Sequence, residues 1–95
     1  MSTTDDLLRN NEGFAQSFDK GDLALPPAKK IAVVACMDAQ LDVEEALGFR
    51  TGDAHIIRNA GGIVTDDVIR SLLVSQHLLG TSEILVIAHT QCGLI

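Results

Sequence analysis

The sequence predicts an α/β fold in which a parallel sheet of three strands, in the order 2-1-3, lies between flanking helices. Short apolar segments alternate with helical segments along the chain, and this alternation is typical of parallel strands joined by right-handed crossovers. Hydrophobic residues make up 46% of the 95 residues but aromatic residues only 3%, which indicates an aliphatic core. Strands one and three are then neighbours, and a crevice opens at their carboxyl ends.

The chain is predicted to be one domain over residues 1–95, within which residues 1–29 are a helical arm and a linker. Thr3 or Thr4 can cap the helix at the start of this arm. The helix carries apolar side chains that are candidate contacts, which are Leu7, Leu8, Phe14 and Phe18. These side chains need a surface that covers them.

Strand one, from about Lys30 to Cys36, is apolar almost throughout, as expected of a strand that is buried on both faces. Thr65 is a suitable N-cap for the long helix that follows, and Gly80 is a suitable end for it. The other predicted elements are a short helix from about Asp42 to Leu47, a second strand from about Ala54 to Arg58, a tight turn at Gly61-Gly62 and a third strand from about Glu83 to Ala88.

Composition excludes some classes of function. The formal net charge is −6, with 7 Lys and Arg against 13 Asp and Glu, and this balance argues against nucleic acid or an anionic membrane as partner. No apolar segment is long enough to cross a bilayer, and the N-terminus has no features of a secretory signal. Two cysteines without such a signal predict reduced thiols in the cytoplasm rather than a disulfide.

Both cysteines lie where the topology predicts a crevice. Cys36 ends the first predicted strand, and His89 and Cys92 follow the third. Two sulfur ligands and one imidazole suit Zn²⁺, and three protein ligands leave a fourth position open for chemistry. Because the ligand types and the topology select the same edge of the sheet, the sequence predicts a zinc site of the catalytic type there.

The same segments carry a family resemblance. Cys36-Met37-Asp38-Ala39-Gln40, Arg58-Asn59-Ala60-Gly61-Gly62 and His89-Thr90-Gln91-Cys92-Gly93 together resemble the motifs of the β-class carbonic anhydrases. The resemblance implies an α/β fold with a parallel central sheet and the reversible hydration of carbon dioxide to bicarbonate. It also implies a homodimer or a higher homo-oligomer.

The resemblance further implies a role for each residue. Cys36, His89 and Cys92 are the implied zinc ligands, and Asp38 either orients the nucleophile or becomes a fourth ligand. The family pattern is Cys-x-Asp-x-Arg, in which the arginine pairs with the aspartate and holds it off the metal, but this chain has Gln40 there. A neutral hydrogen bond is worth about 1 kcal/mol, against about 1.5–3 kcal/mol for a charged one. Gln40 is therefore a weakened orienting residue, and activity is expected to be impaired.

Length is a second departure from the family pattern. Family members continue beyond the His-x-x-Cys segment, whereas this sequence stops at Ile95, three residues after Cys92. The edge of the sheet beside strand three is expected to lack the cover that longer members supply, and such an edge favours association. The short C-terminus is a second reason to expect impaired activity.

Three other functions stay open. The chain can be a non-catalytic zinc-binding domain in which Asp38 closes the coordination sphere. It can instead be an interaction module that needs another subunit to complete its core. A cysteine enzyme with Cys36 as nucleophile ranks last, because a phosphatase-like loop needs an arginine six positions later and that residue is Asp42.

Overall fold

The computed structural model of the chain describes residues 2–90. In that part of the chain the structure has three helices, three strands and one 3₁₀ turn. Their bounds are α1 Thr3–Ser17, β1 Ile31–Cys36, α2 Val43–Leu47, β2 Ala54–Asn59, the turn Ala60–Gly62, α3 Asp66–Leu79 and β3 Glu83–Val86. The predicted α/β class and the predicted order of elements are confirmed.

β1 is the central strand of the sheet, and both neighbours run parallel to it in the order β2-β1-β3. It pairs with β2 along its whole length, so that Cys36 lies opposite Asn59. Its pairing with β3 ends where Val34 lies opposite Val86. The predicted order 2-1-3 is therefore confirmed, and the carboxyl end of β1 is flanked by the segments that follow β2 and β3.

The core is built around β1, whose residues from Ala32 to Cys36 are all 0% exposed. On one face, Ala32 and Val34 pack with Val68 and Leu72 of α3. Burying a valine-sized side chain contributes about 1.5–3 kcal/mol. The opposite face is covered by α2 and the loops beside it, in a cluster of Val33, Ala35 and Val43 with the partly buried Ile31, Leu41, Phe49, Ile56 and Ile87. The three layers are therefore α3, the sheet and α2.

The cap of α1 differs from the prediction. The N-cap is Ser2, whose side chain accepts a hydrogen bond from the Asp5 amide in a reciprocal capping box. The predicted caps, Thr3 and Thr4, already lie inside the helix. A cap must have a non-helical backbone, and Ser2 has φ −86° and ψ 163°. The prediction was wrong by one or two residues.

The other two helices begin and end at the residues that the sequence indicates. Asp42 caps α2, and Thr65 caps α3 by accepting a hydrogen bond from a backbone amide in the first turn. Gly48 and Gly80 end these helices with φ of 74° and 77°. Only glycine adopts this left-handed conformation at little cost.

α1 contributes nothing to the core, because none of its residues is buried. The large apolar side chains of α1, and that of Phe18 just after its end, are 49–60% exposed. They are Leu7, Leu8, Phe14 and Phe18. Phe14 and Phe18 contact each other, with ring centroids 5.4 Å apart. None of the helices in residues 2–90 is long and apolar enough to cross a membrane.

β3 is shorter than predicted, and it is exposed, as expected of an edge strand without cover. It ends at Val86, two residues before the predicted end at Ala88, and all four of its residues are exposed. The amide of Ile87 still donates to the Val34 carbonyl at 2.9 Å. The chain therefore continues beside β1 for one further residue before it turns away from the ladder.

The turn between β2 and α3 packs against the end of β1. Gly61 and Gly62 are buried and have φ of 86° and 63°. The Asn59 side chain closes the turn, because it donates to the Ile63 carbonyl at 2.7 Å and accepts from the Ile63 amide at 2.9 Å. The predicted tight turn is therefore a 3₁₀ turn with two left-handed glycines.

We expect Gly62→Ala to destabilise the fold by roughly 2–5 kcal/mol. A Cβ at this position would lie 2.9 Å from the Cys36 nitrogen and 3.0 Å from the Ala35 carbonyl carbon, and neither backbone atom can rotate away. Gly48→Ala is the matched control, because φ there is also left-handed at 74° but no atom lies within 4 Å of the new Cβ. It should cost about 1–2 kcal/mol. Urea unfolding measures both, and equal losses would contradict the steric explanation.

Candidate metal centre

The loop after β1 holds the first predicted site residues. Cys36 is the last residue of β1 and is 0% exposed. Asp38 follows in the loop, with its side chain 22% exposed, and Gln40 lies on the surface. The parallel sheet thus places a buried thiol and a half-buried carboxylate at the carboxyl end of its central strand.

His89 lies three residues beyond the end of β3 and turns towards the same place. Its Nδ1 is 3.1 Å from the Thr90 carbonyl. Since a carbonyl can only accept, this contact assigns the proton to Nδ1 and leaves the lone pair of the neutral ring on Nε2. Nε2 is shielded from solvent and has no hydrogen-bond partner among residues 2–90. A buried imidazole nitrogen with an unused lone pair is suited to bind a metal ion.

The surroundings of His89 favour a positive charge on the ring. The pKa of His89 is raised above the ordinary value for histidine, and the largest cause is its polar contact with the Cys36 side chain. Burial acts in the opposite direction, while the Thr90 carbonyl and the charges of Cys36 and Asp38 raise the pKa further. The contact with Cys36 falls short of a well-formed hydrogen bond at Nε2. The same negative groups that attract a proton here would attract a metal cation.

The Asp38 carboxylate points with one oxygen to the backbone and with the other towards His89. Oδ1 accepts a hydrogen bond from the Gln40 backbone amide at 2.9 Å. Oδ2 lies 3.9 Å from His89 Nε2, which is too far for a direct hydrogen bond. Two ligands of one tetrahedral zinc lie roughly 3.4 Å apart at the usual bond lengths. The 3.9 Å between Asp38 Oδ2 and His89 Nε2 is therefore close to the distance between two ligand atoms of one zinc ion.

Cys92, the third predicted zinc ligand, lies outside the described residues. Among residues 2–90, no three His, Cys, Asp or Glu side chains form a group arranged to hold a metal ion. The structure brings together three of the predicted site residues, which are Cys36, Asp38 and His89. It places Gln40 in the same loop, where the backbone and not the exposed side chain contacts Asp38.

Arg58 is a residue of this site to which sequence reasoning assigned no role. Its Nε donates to the Cys36 carbonyl at 2.8 Å. Its Nη2 donates to the Asp38 carbonyl at 2.9 Å and to the Leu41 carbonyl at 2.8 Å. The available signal was its place at the end of the predicted second strand, next to strand one. The guanidinium therefore spans the loop that carries Asp38.

A second polar cluster lies between β2 and α3, away from this centre. His55 Nδ1 is 2.6 Å from Ser75 Oγ, which is 2.6 Å from Thr81 Oγ1. The sequence indicated no partner for His55, because the two hydroxyls come from a distant helix and the loop after it. His55 and Ser75 line part of a cleft of about 260 Å³, which Arg70 also lines. His77 is exposed in the last turn of α3.

The family model and the similar sequences point to the same protein family. The family model described as carbonic anhydrase matches residues 31–95. Beta-carbonic anhydrase 1 of Mycobacterium tuberculosis is 60% identical over 95 residues, which is 100% of this chain and 58% of that protein. A carbon disulfide hydrolase of Saccharolobus solfataricus is 47% identical over 91 residues, which cover 96% of this chain and 43% of that protein.

The fold comparison agrees with the sequence comparison. The crystal structure of carbonic anhydrase from Streptococcus mutans matches with a TM-score of 0.91 and 52% identity. The match covers 98% of this chain and 56% of that chain. The sequence thus spans a little over half the length of these two carbonic anhydrases. On the family model, the identity and the shared fold, the chain belongs to the β-class carbonic anhydrase family.

Proposed function

We propose that this chain carries a zinc-dependent centre for the reversible hydration of carbon dioxide to bicarbonate. The observation that supports this most directly is the buried Nε2 of His89, which has no hydrogen-bond partner among residues 2–90 and adjoins Cys36 and Asp38. The family to which the chain belongs supports the same activity. The proposed ligands are Cys36, His89 and Cys92, with Asp38 as a possible fourth.

The donor types fit zinc better than the other common ions. Thiolate and imidazole are common ligands of Zn²⁺ in proteins, whereas Mg²⁺ and Ca²⁺ prefer oxygen ligands. The thiol of Cys36 must be reduced in order to bind, which fits a reducing compartment such as the cytoplasm. When bound, zinc supplies Lewis acidity that makes a hydroxide nucleophile available near neutral pH.

The residues of the chain have separate tasks in this proposal. The Thr90 carbonyl holds His89 by accepting a hydrogen bond from Nδ1–H, so that Nε2 faces the site. The Gln40 amide holds Oδ1 of Asp38, and this leaves Oδ2 to accept a hydrogen bond from the attacking water. A carboxylate in this role orients the lone pair of the nucleophile towards the carbon of carbon dioxide.

We further propose that Gln40 lowers the rate. Asp38 Oδ1 has a backbone donor, but within residues 2–90 no lysine or arginine forms an ion pair with Oδ2 that would hold it away from the metal position. Oδ2 lies 3.9 Å from His89 Nε2, close to the spacing of two ligands of one ion. The carboxylate can therefore compete with water for the fourth position. If Asp38 occupied that position permanently, the chain would be the non-catalytic zinc-binding domain of the sequence analysis.

Carbon disulfide is a second candidate substrate. The observation that favours it is the 47% identity to a protein named carbon disulfide hydrolase. Carbon disulfide is linear and apolar and has an electrophilic central carbon, as carbon dioxide does. Its complete hydrolysis consumes two water molecules and yields carbon dioxide and two molecules of hydrogen sulfide. An assay with both substrates separates the two candidates.

We expect the purified protein to bind one zinc per chain and Cys36→Ser to lose this stoichiometric zinc, because a serine hydroxyl is a far weaker zinc ligand than a thiolate. Elemental analysis after dialysis against a weak chelator measures the content. Ser82→Cys is a control in the reverse direction, because it adds a thiol at an exposed site away from the centre, and a single exposed thiol should leave the zinc content unchanged. Undiminished zinc in Cys36→Ser would sink the proposed ligand set.

We expect Gln40→Arg to raise the rate of carbon dioxide hydration by about tenfold, which corresponds to about 1.4 kcal/mol of added restraint on Asp38. Stopped-flow measurement with a pH indicator gives kcat and KM for both proteins. Gln40→Lys is the matched control, because it adds a charge without a two-pronged donor. A wild-type rate equal to that of Gln40→Arg would contradict the proposed impairment, and zinc without activity in either protein would favour a non-catalytic role.

We also propose that the chain acts as a homodimer or a higher homo-oligomer. α1 has no buried residue, and its apolar side chains are about half exposed or more. β3 is exposed along its whole length at an edge of the sheet. Apolar surface of this extent is typical of an interface. The interaction-module alternative rests on the same surfaces.

Multi-angle light scattering at micromolar concentration tests the assembly, and we expect a mass of at least twice that of the chain. The double variant Leu8→Asp, Phe14→Asp should lower the mass, because it places charges on two α1 positions that are each 60% exposed. Leu78→Asp, at 75% exposure on α3, is a control for added charge. A folded, zinc-loaded and monodisperse monomer of the wild type would refute the proposal.

A further inference from the structure

We propose that Arg58 is the positioning residue of the active-site loop: its guanidinium fixes the backbone of residues 36–41 and thereby sets where the Asp38 carboxylate can go. The catalytic consequence rests on the proposed function, but the effect on the loop does not. Three hydrogen bonds from one side chain to three carbonyls of this loop carry the inference.

The three acceptors span the whole loop. Cys36 is the last residue of β1, Asp38 is in the middle, and Leu41 precedes α2, so the contacts connect both ends of the loop to one rigid group. Arg58 itself lies in β2, whose pairing with β1 places Ala35 opposite it. The backbone of Arg58 is therefore held by the sheet, independently of the loop that its guanidinium contacts.

The backbone that Arg58 holds is the backbone that orients Asp38. The Asp38 carbonyl accepts from Arg58 and also from the Leu41 amide at 3.0 Å. The Asp38 carboxylate accepts from the Gln40 amide at 2.9 Å. All of these groups belong to one tight turn, so a shift of the carbonyls would move the Gln40 amide and release Oδ1.

Only an arginine can make this set of contacts. A guanidinium has five N–H donors in a rigid plane, and here two of its nitrogens reach three carbonyls. A lysine at the same position keeps the charge but presents donors from a single atom. This difference explains how the loop keeps its shape although Gln40 supplies no charged partner to the carboxylate. Arg58 acts on the loop backbone and does not touch Oδ1 or Oδ2.

The test compares wild type with Arg58→Met and Arg58→Lys in the metal-free protein. Arg58→Met should raise the amide hydrogen-exchange rates of Gln40 and Leu41, on the order of tenfold or more for lost charged hydrogen bonds, and Arg58→Lys should restore part of the protection. Exchange within β1 should change much less. Arg70→Met is the matched control, because no carboxylate within residues 2–90 lies within 4 Å of that exposed guanidinium, and it should leave the loop unchanged.

A second measurement, on the metal-loaded protein, separates positioning from general stability. In Co²⁺-substituted Arg58→Met, the visible absorption bands should shift relative to wild type, and kcat for carbon dioxide should fall while KM changes little. Unchanged exchange at Gln40 and Leu41, or an equal rise throughout the sheet, would overturn the proposal. If wild type binds no metal, the proposed function fails, whereas the exchange experiment still decides the role of Arg58. If Arg58→Met does not fold, Arg58→Lys tests the role of Arg58 by the same two measurements, which are amide exchange in the loop and the absorption and kinetics of the metal-loaded protein.

Discussion

The rest of the structure depends on the complete burial of β1. A six-residue strand with no exposed residue from Ala32 to Cys36 needs a pairing strand on each edge and a cover on each face. β2 and β3 supply the edges, and α3 and α2 supply the faces. Parallel pairing then brings three segments to the carboxyl end of β1. The candidate site is the place where these segments meet, and its position is a consequence of packing the core.

The site itself is held by the backbone more than by side-chain pairs. Gly62 packs so closely on the end of β1 that a Cβ would clash with backbone atoms. Arg58 binds three carbonyls of the next loop, and the Gln40 amide binds the Asp38 carboxylate. His89 is oriented by the Thr90 carbonyl. Backbone contacts of this kind do not depend on the side chain at position 40, which explains how the loop tolerates a glutamine there.

Much of the fold could be predicted from the sequence, because the apolar run of β1 and the helix ends at Thr65 and Gly80 follow local rules that the core does not override. The cap at Ser2 and the early end of β3 were missed, since propensity fixes such boundaries only within a few residues. In the site, residue types and topology indicated Cys36 and His89, and the family resemblance added Asp38. Arg58 stands in one of the family motifs, but its role was missed because its partners are backbone carbonyls and not side chains.

The two halves of the candidate centre differ in how firmly the fold supports them. Cys36 belongs to the fully buried central strand, whereas His89 follows an edge strand whose four residues are all exposed. A ligand that binds both residues would therefore connect the best-packed element to the least covered one. Because a metal that binds only the folded arrangement stabilises it in proportion to its affinity, zinc would contribute to the stability of the β1–β3 pairing. Cover of β3, by more chain or by a second subunit, would in turn hold His89 in place for the metal, and assembly, metal binding and folding would then be thermodynamically linked.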